Sequence, residues 1–258
     1  MIVAGWGAAT DTGRVRAANE DSFFARAPVF VVADGMGGHA AGEVASRLAA
    51  ETFAALAERD TLGVNDAVSA VGSANTAILD QALAAPEMEG MGTTLAGLAV
   101  VTAGGSEHWQ VFNVGDCRVY RYSGGHLDQL TVDHSEAEEL VASGRLSKED
   151  ARDYARRHVV TRSLGTDPAP HSDSWVFPPS PPERFLICSD GLTNELEDRE
   201  IEATLASEAD PQRAADRLVA QAVEAGGHDN VTAIVVDASP PFQSTVDEDT
   251  NPREHHGV

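Results

Sequence analysis

At 258 residues, with 42% hydrophobic and 23% charged, the chain can bury roughly three quarters of the surface its unfolded form exposes, as one soluble globular domain would. A formal net charge of −23, with Lys148 the sole lysine, repels phosphate backbones and anionic lipid, which excludes general nucleic-acid and membrane-surface binding. No stretch approaches the roughly 18 apolar residues of a membrane span, and Met1 to Thr10 lack the basic flank and apolar centre of a secretory signal, so the expected location is cytoplasmic.

In chain order, apolar and aromatic clusters between turn residues predict strands over Ile2–Ala8, Ser22–Arg26 and Val29–Ala33. Val44, Ala45, Leu48, Ala49, Thr52, Phe53 and Leu56 then recur at helical spacing, and Val64–Leu83 reads as a second, alanine-rich helix. Strand signals resume over Thr93–Thr102, Trp109–Val114, Arg118–Tyr122 and Leu127–Leu130, joined by glycine turns, and the spacing predicts an antiparallel meander. Ser135–Ser143 and Ser147–Arg157 read as two polar helices opened by serines, the first with Glu138 at capping-box spacing. Strands Ser174–Phe177 and Arg184–Cys188, helices Asp198–Ser207 and Pro211–Ala225, and a strand from Val231 complete a domain over residues 1–238. Because strands and helices do not alternate one by one, the fold class is α+β with mostly antiparallel sheets covered by helices. Residues 239–258, rich in proline, polar and acidic groups, carry too little apolar surface to offset ordering entropy and are expected to form a disordered tail.

Four aspartates stand where these apolar runs meet turns. Asp34 leaves the run Phe30–Ala33 into Gly35, Met36, Gly37, Gly38 and His39; Asp190 leaves Phe185–Ser189 into Gly191; Asp116 follows Val111–Gly115; Asp229 precedes Asn230 and the final strand. Singly, each has a turn or helix cap as its explanation. If the last strand is antiparallel to its neighbours, however, its start and their ends share one sheet edge, and the edge becomes a carboxylate cluster that needs cations. Hard oxygen ligands without histidine or thiolate select Mg2+ or Mn2+ over Zn2+. Other acidic groups, such as Glu136, Glu138 and Glu139 or Glu195, Glu197 and Asp198, read as solvated faces and helix starts. Cys117 and Cys188 read as core filler without a redox role.

Asp34 with GlyMetGlyGlyHis, Gly92 with Thr93 and Thr94, Gly115 with Asp116 and Arg118, Ser189 with Asp190 and Gly191, and Asp229 with Asn230 resemble, in that order, the metal-dependent Ser/Thr protein phosphatases of type 2C, in their bacterial single-domain form. Asp11, Gly13, Arg16, Asn19, Glu20 and Asp21 extend the resemblance, which runs from about Gly7 to Asp237. It implies a four-layer α-β-β-α sandwich, two antiparallel sheets flanked by pairs of antiparallel helices, with the metal centre in a cleft at one edge. It implies two Mg2+ or Mn2+ ions bridged by Asp34, with the Gly35 carbonyl on one of them, Asp190 and Asp229 on the other, and Glu20 supporting the shell. A third ion would match Asp116 with Asp190. A hydroxide shared by the metals would attack phosphorus in line while Arg16 clamps the phosphoryl oxygens and His39 protonates the leaving alkoxide. A flap over about residues 131–165 would lie beside the cleft, with Thr161 and Ser163 near substrate. The partners implied are phosphorylated proteins and a Ser/Thr kinase whose action a monomeric enzyme reverses.

Competing classes fare worse. A cysteine-based phosphatase needs an arginine six positions after the thiolate, where this chain has Ser123 and Asn194. The glycines after Asp34 fit neither a dinucleotide fingerprint nor a phosphate loop with its lysine. A silent phosphoprotein-binding module on the same fold would not require every core metal position to be filled.

Overall fold

The longest apolar runs, Val29–Ala33 and Leu95–Val101, are buried on both faces, because these central strands have layers packed above and below them. The computed structural model describes residues 2–37, 41–151, 154–180 and 182–238; His39 and the tail expected over 239–258 lie outside the described residues. The amino-terminal half supplies β1 (Val3–Asp11), β2 (Asp21–Arg26), β3 (Val29–Met36), α1 (Ala41–Leu56), α2 (Asp66–Ala84), β4 (Gly92–Thr93), β5 (Leu95–Ala103) and β6 (Ser106–Val114). The remainder supplies β7 (Arg118–Ser123), β8 (His126–Gln129), α3 (Glu136–Ala142), α4 (Lys148–Ala151), β9 (Asp173–Phe177), β10 (Arg184–Cys188), α5 (Asp190–Thr193), α6 (Asp198–Ser207), α7 (Pro211–Ala225) and β11 (Val231–Ala238).

One sheet runs β1-β11-β10-β7-β8 and the other β2-β3-β5-β6-β9, with β4 added beside β3, and all the pairings are antiparallel. Residue alternation along β3 shows the layering. Val29, Val31 and Ala33 pack with Ala45, Ala49 and Phe53 of α1 and Ala74 and Ile78 of α2. Phe30 and Val32 face the other way, into an inter-sheet core with Trp109, Val111, Phe185, Ile187, Ile234 and Val236. A third core joins Leu186, Val231 and Val235 to Ile201 and Leu205 of α6 and Leu218 and Val219 of α7. Three apolar cores between four layers constitute the α-β-β-α sandwich.

Two expectations need correction. The four middle strands do not form one meander: β5 and β6 lie in one sheet, β7 and β8 in the other. Between β6 and β7 the chain turns at Gly115, φ 105°, and crosses from sheet to sheet. Alternation and turn residues are the same for a hairpin and for such a crossing, so sequence pattern alone does not separate them. The second polar helix, expected over Ser147–Arg157, is helical among the described residues over Lys148–Ala151, and residues 155–157 form turns instead. Tertiary pairing overrides its propensity, because Glu136 N–H donates to Val159 O at 2.9 Å and Val160 bridges Ser135. Ser147 caps through Asp150 N–H at 3.0 Å rather than through Glu149. Ser135 does cap α3, accepting from Glu138 N–H at 3.3 Å, while the reciprocal capping box belongs to Glu197 and Glu200 at α6.

Phe112, fully buried, stacks on Phe53 with ring centroids 5.1 Å apart and planes 8° apart, which joins α1 to the sheet beneath it. Phe112→Ala should destabilise the fold by about 3–5 kcal/mol, read as a lower urea unfolding midpoint at unchanged slope; an unshifted midpoint would show that α1 is held without this contact.

Candidate active site

Strand geometry delivers the aspartates to one edge. In the second sheet Asp34 of β3 lies directly opposite Asp21 of β2. In the first sheet β10 and β11 are antiparallel, so Asp190, just after β10, and Asp229, just before β11, emerge together. Two close approaches set the backbone at this edge, one between the β10 and β11 ends and one between β3 and α1. A Cβ on Gly191 would stand 2.0 Å from Asn230 O, and one on Gly35 would stand 2.1 Å from Gly42 O, distances that only a residue without a side chain permits. Asn230 adds a polar clasp: its Oδ1 accepts from Glu20 N–H at 2.8 Å, and its Nδ2 donates to Thr12 O and Ala18 O, each at 2.9 Å.

The result is a cleft of about 780 Å³ lined by Arg16, Glu20, Asp34, Gly35, Asp116, Asp190 and Asp229. Of the eight residues given a metal or catalytic role in the sequence, seven thus meet in one place, and His39 lies outside the described residues. Arg16 Nη2 donates to Asp229 Oδ2 at 2.7 Å with half the arginine side chain exposed. Thr93 Oγ1 and Thr94 N–H donate to Asp34 O at 2.8 and 2.9 Å, which fixes the backbone beneath the carboxylate.

The carboxylates repel one another. Burial, then the charges of Asp21, Asp190, Asp116 and Asp229, hold the Asp34 carboxyl well above the usual range. Asp116 is pushed up to about 8 by burial and then by Asp190 and Asp133. Asp21 is pushed up to about 7 by burial, against hydrogen bonds from Thr232 and Ser189 that favour its charge. Burial also opposes charge on Asp190, but His158, Asn194 and the Asp34 carboxyl outweigh it and hold Asp190 low. Asn194 Nδ2 donates to Asp190 Oδ2 at 3.0 Å, and His158 Nδ1 stands 3.8 Å from the same oxygen. Asp190 Oδ1 and Asp21 Oδ1 are buried with no protein partner. Orphaned acceptors among mutually repelling carboxylates fit a hard divalent cation. Among the described residues, no group of three or more His, Cys, Asp or Glu side chains forms a ready-made ligand set. An ion bound here would therefore complete its shell with backbone oxygen and water.

Several residues of the site were not singled out in the sequence. Asp21, quoted only as part of a resemblance, is the cross-strand partner of Asp34. Asn194 has a legible signal, standing four residues after Asp190 on one helical face. Arg157, His158 and Val160 form the flap's wall of the cleft, while Thr161 and Ser163 are not among its lining residues. Glu195 corrects an expectation: it is not a solvated group but a largely buried one whose Oε1 holds His228 Nδ1 at 2.7 Å on the cleft wall. Cys117 and Cys188 are free and buried. Cys117 Sγ lies 3.0 Å from Thr94 Oγ1, and burial and then Asp34 push its thiol pKa well up, so it packs as a neutral group.

Residues 13–224 match the family model described as Protein phosphatase 2C. The chain belongs to this family. It is similar to the serine/threonine phosphatase stp of Listeria monocytogenes, 37% identical over 242 residues that cover 88% of this chain and 93% of that protein. It is also similar to the serine/threonine protein phosphatase PstP of Mycobacterium tuberculosis, 39% identical over 92% of this chain and 45% of that longer protein. A crystal structure of the Mycobacterium tuberculosis phosphatase superimposes with a TM-score of 0.86 at 36% identity, covering 93% of this chain and 100% of that one. A second structure, the catalytic domain of PstP in complex with two manganese ions, superimposes at 0.84 with 36% identity and the same coverage. As a protein phosphatase 2C, the chain is a phosphoric-monoester hydrolase with its carboxylate cleft at the sandwich edge. No helix among the described residues is long and apolar enough to cross a membrane.

Raised carboxyls bind protons more tightly folded than unfolded. Their stabilisation is complete below about pH 4 and is lost as pH rises through about 7 to 8, the folded values of Asp21 and Asp116. In chelator, the urea midpoint should therefore fall as pH rises across this window, and Asp116→Asn should flatten the fall; an equal slope in both proteins would show that Asp116 is not repelled.

Proposed function

We propose that the cleft removes phosphate from phosphoserine and phosphothreonine in proteins, using divalent metal held by Asp34, the Gly35 carbonyl, Asp190 and Asp229. The observation that carries this reading is the convergence of Asp34, Asp116, Asp190 and Asp229 from both sheets onto one cleft. Mg2+ or Mn2+ bound there supplies a water deprotonated near neutral pH and neutralises charge on the phosphoryl oxygens. Asp34, near the end of β3, would be shared between two ions; Asp116 with Asp190 would offer a third position, and Glu20 would support the shell from the cleft wall.

Arg16 binds the substrate phosphate. Its guanidinium is anchored through one nitrogen to Asp229 and keeps its other donors for a phosphoryl group, a geometry suited to bidentate recognition. The leaving serine or threonine oxygen takes a proton, and His39, following the glycines after Asp34, is the donor we assign. The flap presents Arg157 and His158 to the incoming phosphoprotein. The enzyme acts as a cytoplasmic monomer that reverses a Ser/Thr kinase, a reading supported by the resemblance to bacterial phosphatases of this type.

Hydrolysis of an aryl phosphate and of a phosphothreonine peptide should disappear in chelator and return with Mn2+. Asp34→Asn should lower the metal-supported rate by about a hundredfold or more, with the variant still folding. Activity undiminished in chelator, or an Asp34→Asn rate equal to wild type, would overturn the metal mechanism. Because protons compete with cations for the raised carboxyls, the Mn2+ concentration giving half-maximal rate should climb as pH falls, with the rate recovering at higher Mn2+; a half-saturating concentration independent of pH would argue against carboxylate ligation.

A further inference from the structure

His134 stands at the entrance to the flap, 4% exposed, and makes contacts that no role assigned so far explains. Its backbone N–H donates to Gly115 O at 2.9 Å, and its ring Nδ1 is 3.0 Å from Gly115 N, from which it accepts. Both backbone polar groups of the residue before Asp116 therefore end on His134. On its other side, the His134 carbonyl accepts from Thr161 N–H at 2.8 Å, and Nε2 is 3.2 Å from Asp173 Oδ2 at the start of β9. Arg162 Nη1 reaches Asp173 Oδ1 at 3.2 Å and lies 3.1 Å from Nε2.

The tautomer follows from the donors. Gly115 N–H needs a bare nitrogen at Nδ1, so the ring proton sits on Nε2 and is donated to Asp173. Arg162 then has Asp173, not the imidazole, as its acceptor. The ring is neutral, in keeping with the burial that lowers its pKa. One residue thus connects the flap's entry, the edge strand β9 and the turn at Gly115 through its ring and backbone N–H, and the flap's exit at Thr161 through its backbone carbonyl. That turn has a φ of 105° and presents Asp116 to the cleft.

We propose that His134 is a positioning residue for Asp116: its neutral imidazole clamps the Gly115 N–H and sets the Asp116 carboxylate beside Asp190, while its backbone joins the same turn to the flap's exit at Thr161. The inference rests on the reading of Asp116 as a metal ligand in a phosphatase. It makes metal affinity at Asp116 dependent on one nitrogen, Nδ1, rather than on the bulk of the ring. Partners that orient a ligand in this way typically govern metal affinity by about 10- to 100-fold.

Two variants separate the nitrogens. His134→Asn places an amide oxygen near the position of Nδ1 and keeps an acceptor for Gly115 N–H. His134→Gln carries its polar group toward the position of Nε2 and leaves that N–H without an acceptor. With Mn2+ as the probe, His134→Gln should raise the half-saturating concentration for aryl phosphate hydrolysis by about tenfold, with His134→Asn within about twofold of wild type. Calorimetric Mn2+ titration should show the same order. In the metal-free proteins, hydrogen exchange at the Gly115 amide should accelerate in the Gln variant and not in the Asn variant. Nitrogen NMR of the wild-type ring should find the proton on Nε2, a measurement that holds even where a variant does not fold.

A proton on Nδ1, or equal shifts in both variants when both melt cooperatively, would overturn the proposal. Should the wild type hydrolyse phosphate without metal, the phosphatase mechanism fails first, and exchange and tautomer still decide whether His134 clamps Gly115.

Discussion

Carboxylates that repel one another at close range are the constraint on which this molecule turns. Asp21 and Asp34 face each other across a β ladder, and Asp116, Asp190 and Asp229 arrive from the opposite sheet and its loops. Like charges directly opposite in a sheet are destabilising, and here they are also withdrawn from solvent. The surrounding fold must hold them together. It does so by burying three apolar cores around them and by letting backbone approach backbone at Gly35 and Gly191, where a Cβ would collide. Residual strain of this kind is where a divalent ion gains binding energy, because it relieves repulsion as well as forming bonds.

The two-sheet sandwich suits this purpose better than a single sheet. Strands of one sheet end in a row, and their side chains alternate between its faces. Two sheets packed face to face bring two such rows to a common edge, so the cleft draws carboxylates from β3 on one side and from the β10 and β11 ends on the other. Helix pairs outside each sheet keep both faces of every central strand dry. That is why β3 reads Val29 to Ala33 without a polar interruption and then changes abruptly to Asp34 at the point where it reaches the cleft.

The flap is not a free loop laid over this arrangement. Leu164 pairs with Thr93 through two backbone hydrogen bonds of 2.8 and 3.2 Å, and Asn75 of α2 accepts from Gly165 and Thr166 N–H while donating to Thr166 O. Asp133 grips Arg118 through both oxygens, beside His134 at the Gly115 turn. Both ends of the flap are thereby fixed to elements that carry site residues, and its central part forms one wall of the cleft through Arg157 and His158. The flap is thereby in mechanical connection with the turn that presents Asp116.

By itself the sequence determined a great deal. Apolar runs bounded by turns located nearly every strand, helical spacing located the four main helices, and the aspartates at the ends of those runs marked the cleft, because run length, period and turn chemistry are local properties. Tertiary structure decided the rest. It placed β7 in the other sheet from β6, paired Val160 with Ser135 beyond the second flap helix, and turned Glu195 inward to hold His228. It also set the ionisation of Asp34, Asp21 and Asp116 and gave His134 its partners. Each of these depends on groups far apart in the chain, and neither periodicity nor composition contains the distances between them.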